Sequence, residues 1–149
     1  MRKGGINKDN IFGLFEGDYD TLQNAQKLSK KLKDFDNSPT VKIGMFTKLI
    51  LNHQVFHEKL KKFLKQEEPN YDVSSTKESS EFVVYNRAWY YLNQVDINKR
   101  EDIFAILDFN PKLLNKALES ALLYFQDREE YLKCAQIFKI QQILRESKR

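Results

Sequence analysis

Residues 110–149 read NPKLLNKALESALLYFQDREEYLKCAQIFKIQQILRESKR, and this stretch decides the fold. Asn110 followed by Pro111 is a helix start. The asparagine side chain caps free amides, and proline at the first helical position gives up a hydrogen that no helix bond needs. Leu113, Leu114, Ala117, Leu118, Ala121, Leu122 and Phe125 then recur at helical spacing. Gln126-Asp127-Arg128 is a polar break. Beyond it Tyr131, Ala135, Phe138 and Gln142 form one row, with Cys134, Ile137, Ile140, Ile143 and Leu144 beside it. The pattern predicts a closing helical hairpin. Glu129 and Glu130 fall in the first turn of its second helix, where negative charge suits the helix dipole.

The same periodicity recurs towards the N-terminus. A short helix is expected over Lys99 to Phe109, presenting Ile103, Phe104, Ile106 and Leu107. Glu81 to Val95 carries the stripe Phe82, Tyr85, Trp89 and Leu92. Tyr71 to Ser80, with its clustered serines, reads as a loop. Val41 to about Gln66 is the longest expected helix, capped by Ser38 or Thr40 and closed by Glu67-Glu68-Pro69-Asn70. Its apolar stripe is Met45, Leu49, His53, Phe56, Leu60 and Phe63, broadened by Phe46, Ile50 and Leu64. A further helix spans about Asp20 to Phe35, capped by Asp20 or Thr21 and carrying Leu22, Ala25, Leu28 and Leu32. The only β-rich pentamer, Glu81 to Tyr85, lies inside a helical stripe.

The expected fold is therefore all-α, with about five to six helices, a C-terminal hairpin and a flexible basic N-terminus. Residues 1–18 form a leader with an apolar docking segment. Residues 19–149 form a single domain, in which 19–66 is a basic helix pair and 78–149 a multi-helix unit. Residues 113–144 resemble a tetratricopeptide unit: alanine and leucine, then Tyr124, a short polar turn, Tyr131, the small pair Cys134-Ala135, and Phe138. The turn lacks the usual glycine and is a residue longer, and no second copy is visible. The resemblance implies helical-hairpin packing and carries no ligand site.

Composition narrows the classes. A chain of 149 residues with only 5 Gly and 3 Pro suits one helical domain with short loops. The bias to Lys, Asn, Ile, Phe and Tyr fits an AT-rich genome, such as that of a phage, a virus or an AT-rich bacterium. A single cysteine, Cys134, allows no intrachain disulfide. No apolar run approaches the roughly 20 residues of a membrane span, and no apolar signal core follows the basic N-terminus. The expected location is cytoplasmic or virion-associated, without membrane and without secretion.

Charge is uneven. The net charge is +4, yet Lys27 to Lys65 holds 10 lysines against 3 acidic residues. Gln66 to Asp102 reverses the balance, with 8 acidic and 4 basic residues. Lys27, Lys30, Lys31, Lys33, Lys59, Lys62 and Lys65 suit a solvated face, an acidic protein or nucleic-acid phosphate. With 19 Lys to 6 Arg, bidentate base reading is disfavoured.

Few residues suggest catalysis. His53 and His57 are spaced as two metal ligands on one helix face, but no third ligand is set by the sequence, and packing accounts for both. Cys134 lies in an apolar row with no neighbouring base, as a packing residue does. No enzyme, metal or cofactor is expected. Ile11, Phe12, Leu14 and Phe15 put four large apolar side chains into a polar leader. They either fold back on their own domain or anchor to a partner, since burying each is worth roughly 1.5–3 kcal/mol. Arg87, Tyr90 and Tyr91 have the composition of an interface hot spot. The function expected is a non-enzymatic protein-interaction subunit or adaptor of a larger assembly, of phage or viral type. The alternative is a basic nucleic-acid-associated factor in transcription or replication.

Overall fold

A computed structural model describes residues 19–70, 72 and 74–148. Among them are six helices and no strand: α1 (Tyr19–Asp36), α2 (Pro39–Glu67), α3 (Ser74–Leu92), α4 (Arg100–Asp108), α5 (Pro111–Asp127) and α6 (Tyr131–Glu146). The all-α expectation holds. The backbone divides between Asn37 and Ser38 into two compact units. The first contributes α1, whose Leu22, Leu28 and Leu32 are exposed. Asp20 and Thr21, expected as caps, lie inside this helix. The second contains α2 to α6.

Within the second unit α2 is the hub, packing against α3, α4 and α5, while α6 packs on α5 and α4. Its start is fixed by Ser38, whose hydroxyl accepts from the Val41 amide at 3.3 Å, with Pro39 in the first turn. Its core row is Ile43, Phe46, Thr47, Ile50 and His57. Thr47 satisfies its buried hydroxyl by donating to the Ile43 carbonyl at 2.8 Å. The expected stripe Met45-Leu49-His53-Phe56-Leu60-Phe63 is not the centre of the core face: Phe56 is 63% exposed and Phe63 56%, while Leu49 packs on the core from its edge and the broadening residues Phe46 and Ile50 are fully buried. Both rows have helical periodicity, so spacing alone does not rank them; the partners α4 and α5 select the row that carries Ile43 and Phe46.

Gly44 lies inside α2 at a point where a Cβ would stand 3.8 Å from Phe109 Cε2, an ordinary contact. Gly44→Ala is expected to raise stability by about 1 kcal/mol, because alanine recovers helix propensity without overpacking. Chemical denaturation checks this, as a higher midpoint at unchanged slope.

From Ser74 onward the serine-rich segment is helix and not loop. Helix α3 starts at Ser74, whose amide and hydroxyl both donate to Asp72 Oδ1 at 2.9 and 2.6 Å. These two bonds hold the Asp72 carboxyl below its usual range. Serines at a helix start serve as local hydrogen-bonding groups, and a loop reading of the cluster misses that use. In α3 the core residues are Tyr85, Ala88 and Leu92; Phe82, expected among them, is 56% exposed.

After Leu92 the chain turns through Val95 to Lys99. Asp102, buried in the first turn of α4, accepts the Asp96 amide at 2.7 Å, and Asp96 accepts the Asn98 amide at 2.9 Å. Asn110 then caps α5 as expected, accepting from Lys112 and Leu113 at 3.1 and 3.3 Å.

The closing hairpin forms, but its turn lies later than Gln126-Asp127-Arg128. Helix α5 runs through Asp127, and Arg128 to Glu130 make the turn. Glu130 precedes α6, and Glu129 has φ 58°, so neither occupies the first turn expected for them. The Glu129 amide donates to the Gln126 carbonyl at 3.0 Å and the Glu130 amide to Phe125 at 2.9 Å. This is the Schellman closure, which asks for the left-handed residue that glycine supplies most cheaply. Glu129→Gly is expected to stabilise the chain by about 1 kcal/mol, read as a rise in Tm.

The buried face of α6 is Cys134, Ile137, Ile140, Gln141 and Leu144. Tyr131 (65% exposed), Ala135 and Phe138 lie outside it, so of the tetratricopeptide-like positions from Tyr124 onward only Tyr124 and Cys134 are buried.

Candidate functional site

Two recesses flank the contact between α2 and α3. The first is polar. Gln54 Nε2 donates to Ser120 Oγ at 2.7 Å, tying α2 to α5. Beside this bond the Tyr85 and Tyr124 rings stack at 4.3 Å and 7°, and the Arg128 guanidinium lies 4.6 Å from the Tyr124 centroid. Burial pushes both phenols up, against the opposing hydrogen bonds of Gln54 and Ser120 on Tyr85 and the charge of Arg128 on Tyr124. The Tyr124 hydroxyl is buried without a hydrogen-bond partner. Further along α2 the recess is lined by His53, His57, Glu58, Lys77 and Glu81.

His53 and His57 stack at 5.9 Å, so the shared face foreseen from their spacing is real. His57 is buried. Burial first, then the neighbouring His57, holds the His53 imidazole below its ordinary value, partly opposed by Glu81. No three His, Cys, Asp or Glu side chains among the described residues come together as a metal site. Cys134 is buried and faces the Leu122 carbonyl at 4.0 Å; burial and then Glu130 push its thiol up.

The second recess is apolar. It is an open groove of about 520 Å3 between the outer edges of α2 and α3, lined by Met45, Leu49, Phe56 and Val84, with Lys48, Asn52, His53 and Ser80 around them. These α2 residues belong to the apolar stripe expected on this helix. Helix α2 carries two apolar rows, one on Ile43, Phe46 and Ile50 and one on Met45, Leu49 and Phe56. One row suffices to face a core, and the second is the signal that sequence reasoning passed over.

The expected contact patch lies on α3 beside this groove. Val83, Arg87 and Tyr90 share a helix face at spacings of four and three, and Val83 and Tyr90 are 65% and 54% exposed. The Arg87 guanidinium sits 4.7 Å from the Tyr90 centroid and 5.3 Å from that of Tyr91, and the two rings meet edge to face at 5.3 Å. The three residues thus come together as one preorganised cluster. Lys27, Lys30, Lys31 and Lys33 are exposed on α1; Lys59, Lys62 and Lys65 are exposed along α2. Ile11, Phe12, Leu14 and Phe15 lie outside the described residues.

Comparison with protein-family models, curated proteins and solved structures returns no match. No helix among the described residues is long and apolar enough to cross a membrane.

Proposed function

We propose that this chain is a protein-interaction subunit, an adaptor or structural component of a larger assembly of phage or viral type. The observation that carries the reading is the second apolar row of α2. Its Phe56 is 63% exposed in an open groove with Met45, Leu49 and Val84, above a core that Leu49 reaches from a partly buried position. Apolar surface left contiguous and open marks association sites, since each such side chain gains on burial. The Arg87-Tyr90-Tyr91 cluster adds side chains typical of binding hot spots on α3, the helix that supplies Val84 to the groove. In this role Ile11, Phe12, Leu14 and Phe15 supply an additional anchor.

The test is association as a function of salt. The full chain, isolated under native conditions with its bound material, is expected to elute with a stoichiometric protein that survives moderate salt. Association through lysines with phosphate would instead weaken steeply with salt and disappear on nuclease treatment. That second outcome replaces the proposal with the nucleic-acid reading on Lys27, Lys30, Lys31, Lys33, Lys59, Lys62 and Lys65.

A further inference from the structure

We infer that the groove between α2 and α3 receives an amphipathic helix whose polar flanks are acidic. The inference rests on the interaction reading above and specifies the partner's chemistry. Met45, Leu49, Phe56 and Val84 supply apolar walls along two neighbouring helices. Such a trough accepts side chains repeating at helical spacing from a third helix laid along it. An extended peptide is the weaker fit, because no strand exists among the described residues to offer a sheet edge for backbone pairing.

Charge selects between helices. Among the described residues, Lys48 is the one ionised side chain lining the groove, and no carboxylate lines it. Helix α2 as a whole carries 6 lysines and 2 glutamates. One of the two, Glu58, faces the polar recess on the other side of the helix pair. Lys59 follows Phe56 by three residues on α2, and Arg87 follows Val84 by three on α3, so both flank the trough. The ion pairs among the described residues use Lys77 and Lys133, leaving Lys48, Lys59 and Arg87 without carboxylate partners. An apolar trough between unpaired cations favours a helix with glutamate or aspartate beside its apolar stripe and rejects one with lysine there.

The experiment uses the full chain with methyl-labelled Met, Leu and Val. Two peptides of about 18 residues, long enough to become helical on docking, share one leucine stripe and differ only in glutamate or lysine flanks. The acidic peptide is expected to shift the Met45, Leu49 and Val84 methyl signals and to bind about tenfold more tightly at low salt, with the advantage shrinking as salt rises. Phe56→Ala is expected to cost about thirtyfold in that affinity. Because Phe56 is exposed, its Tm stays near that of the parent. Equal binding of both peptides, or shifts confined to other methyls, overturns the inference. So does finding the same methyls already covered in the free chain, by residues 11–15 or by a second copy at rising concentration. If the peptides fail while an isolated native partner crosslinks elsewhere on the chain, this inference falls and the interaction reading stands. If no protein partner is found either, both fall.

Discussion

Phe125→Ala is expected to lower unfolding stability by about 3–5 kcal/mol and Tm by more than about 10 °C, the largest effect of any single change considered. Phe125 is fully buried on α5 and joins three helices. Its ring meets Trp89 of α3 edge to face at 5.8 Å and Tyr85 at 6.5 Å. The Lys133 ammonium of α6 lies 4.8 Å from its centroid. Alanine removes the apolar transfer gain and leaves a cavity walled by Trp89, Tyr85 and Tyr124, of which Tyr85 and Tyr124 are held by stacking on each other. Thermal unfolding followed by circular dichroism measures the loss. A change below 1 kcal/mol would show that α3, α5 and α6 do not share this packing. Phe56→Ala is the informative contrast: the same chemical deletion on an exposed side chain is expected to move stability by less than about 0.5 kcal/mol.

Asp102→Ala is the second large change, expected to cost about 1.5–3 kcal/mol. The carboxylate is buried and its Oδ2 accepts the Asp96 amide at 2.7 Å. A charged acceptor makes this bond stronger than a neutral one, and its place in the first turn of α4 adds the favourable sign of the helix dipole. Removing it strands the Asp96 amide and frees the turn that seats Val95 and Ile97 against the core. Hydrogen exchange at Asp96 is expected to accelerate more than at core amides of α5. Asp102→Asn keeps an acceptor of the same shape and is expected to retain part of the loss. Equal effects of Ala and Asn would place the contribution in the charge and not in the hydrogen bond.

The helices were legible in the sequence because each carries a local start or a one-sided pattern. Asn110-Pro111 and Ser38-Pro39 announce two of them, and both caps form. The faces were less legible. In α2, Met45-Leu49-Phe56 and Ile43-Phe46-Ile50 have equal periodicity, and only the neighbours from distant sequence decide which is buried. The same holds for α6, where Tyr131 and Phe138 looked like packing residues and Ile137 and Ile140 pack, together with Cys134 as expected. Larger side chains drew the reading towards the outer row. The hairpin turn was misplaced because its left-handed position is filled by Glu129 where glycine would have flagged it. Tyr124, stacked on Tyr85 across α3 and α5, came from a pairing about 40 residues apart in sequence, beyond the reach of any local pattern.

That exchange of faces locates the functional question. Residues assigned by pattern to the core turn out to line an open groove, next to the arginine and tyrosines that composition marked for binding. Isolation of the full chain with its native partners, compared with the Phe56→Asp variant, decides whether the groove is a docking surface. A stoichiometric protein partner is expected that crosslinks to α2 and α3 and is lost from the variant, while the variant's Tm stays close to the parent's. A partner retained by the variant at full stoichiometry, or nucleic acid as the only co-purifying species, would contradict it.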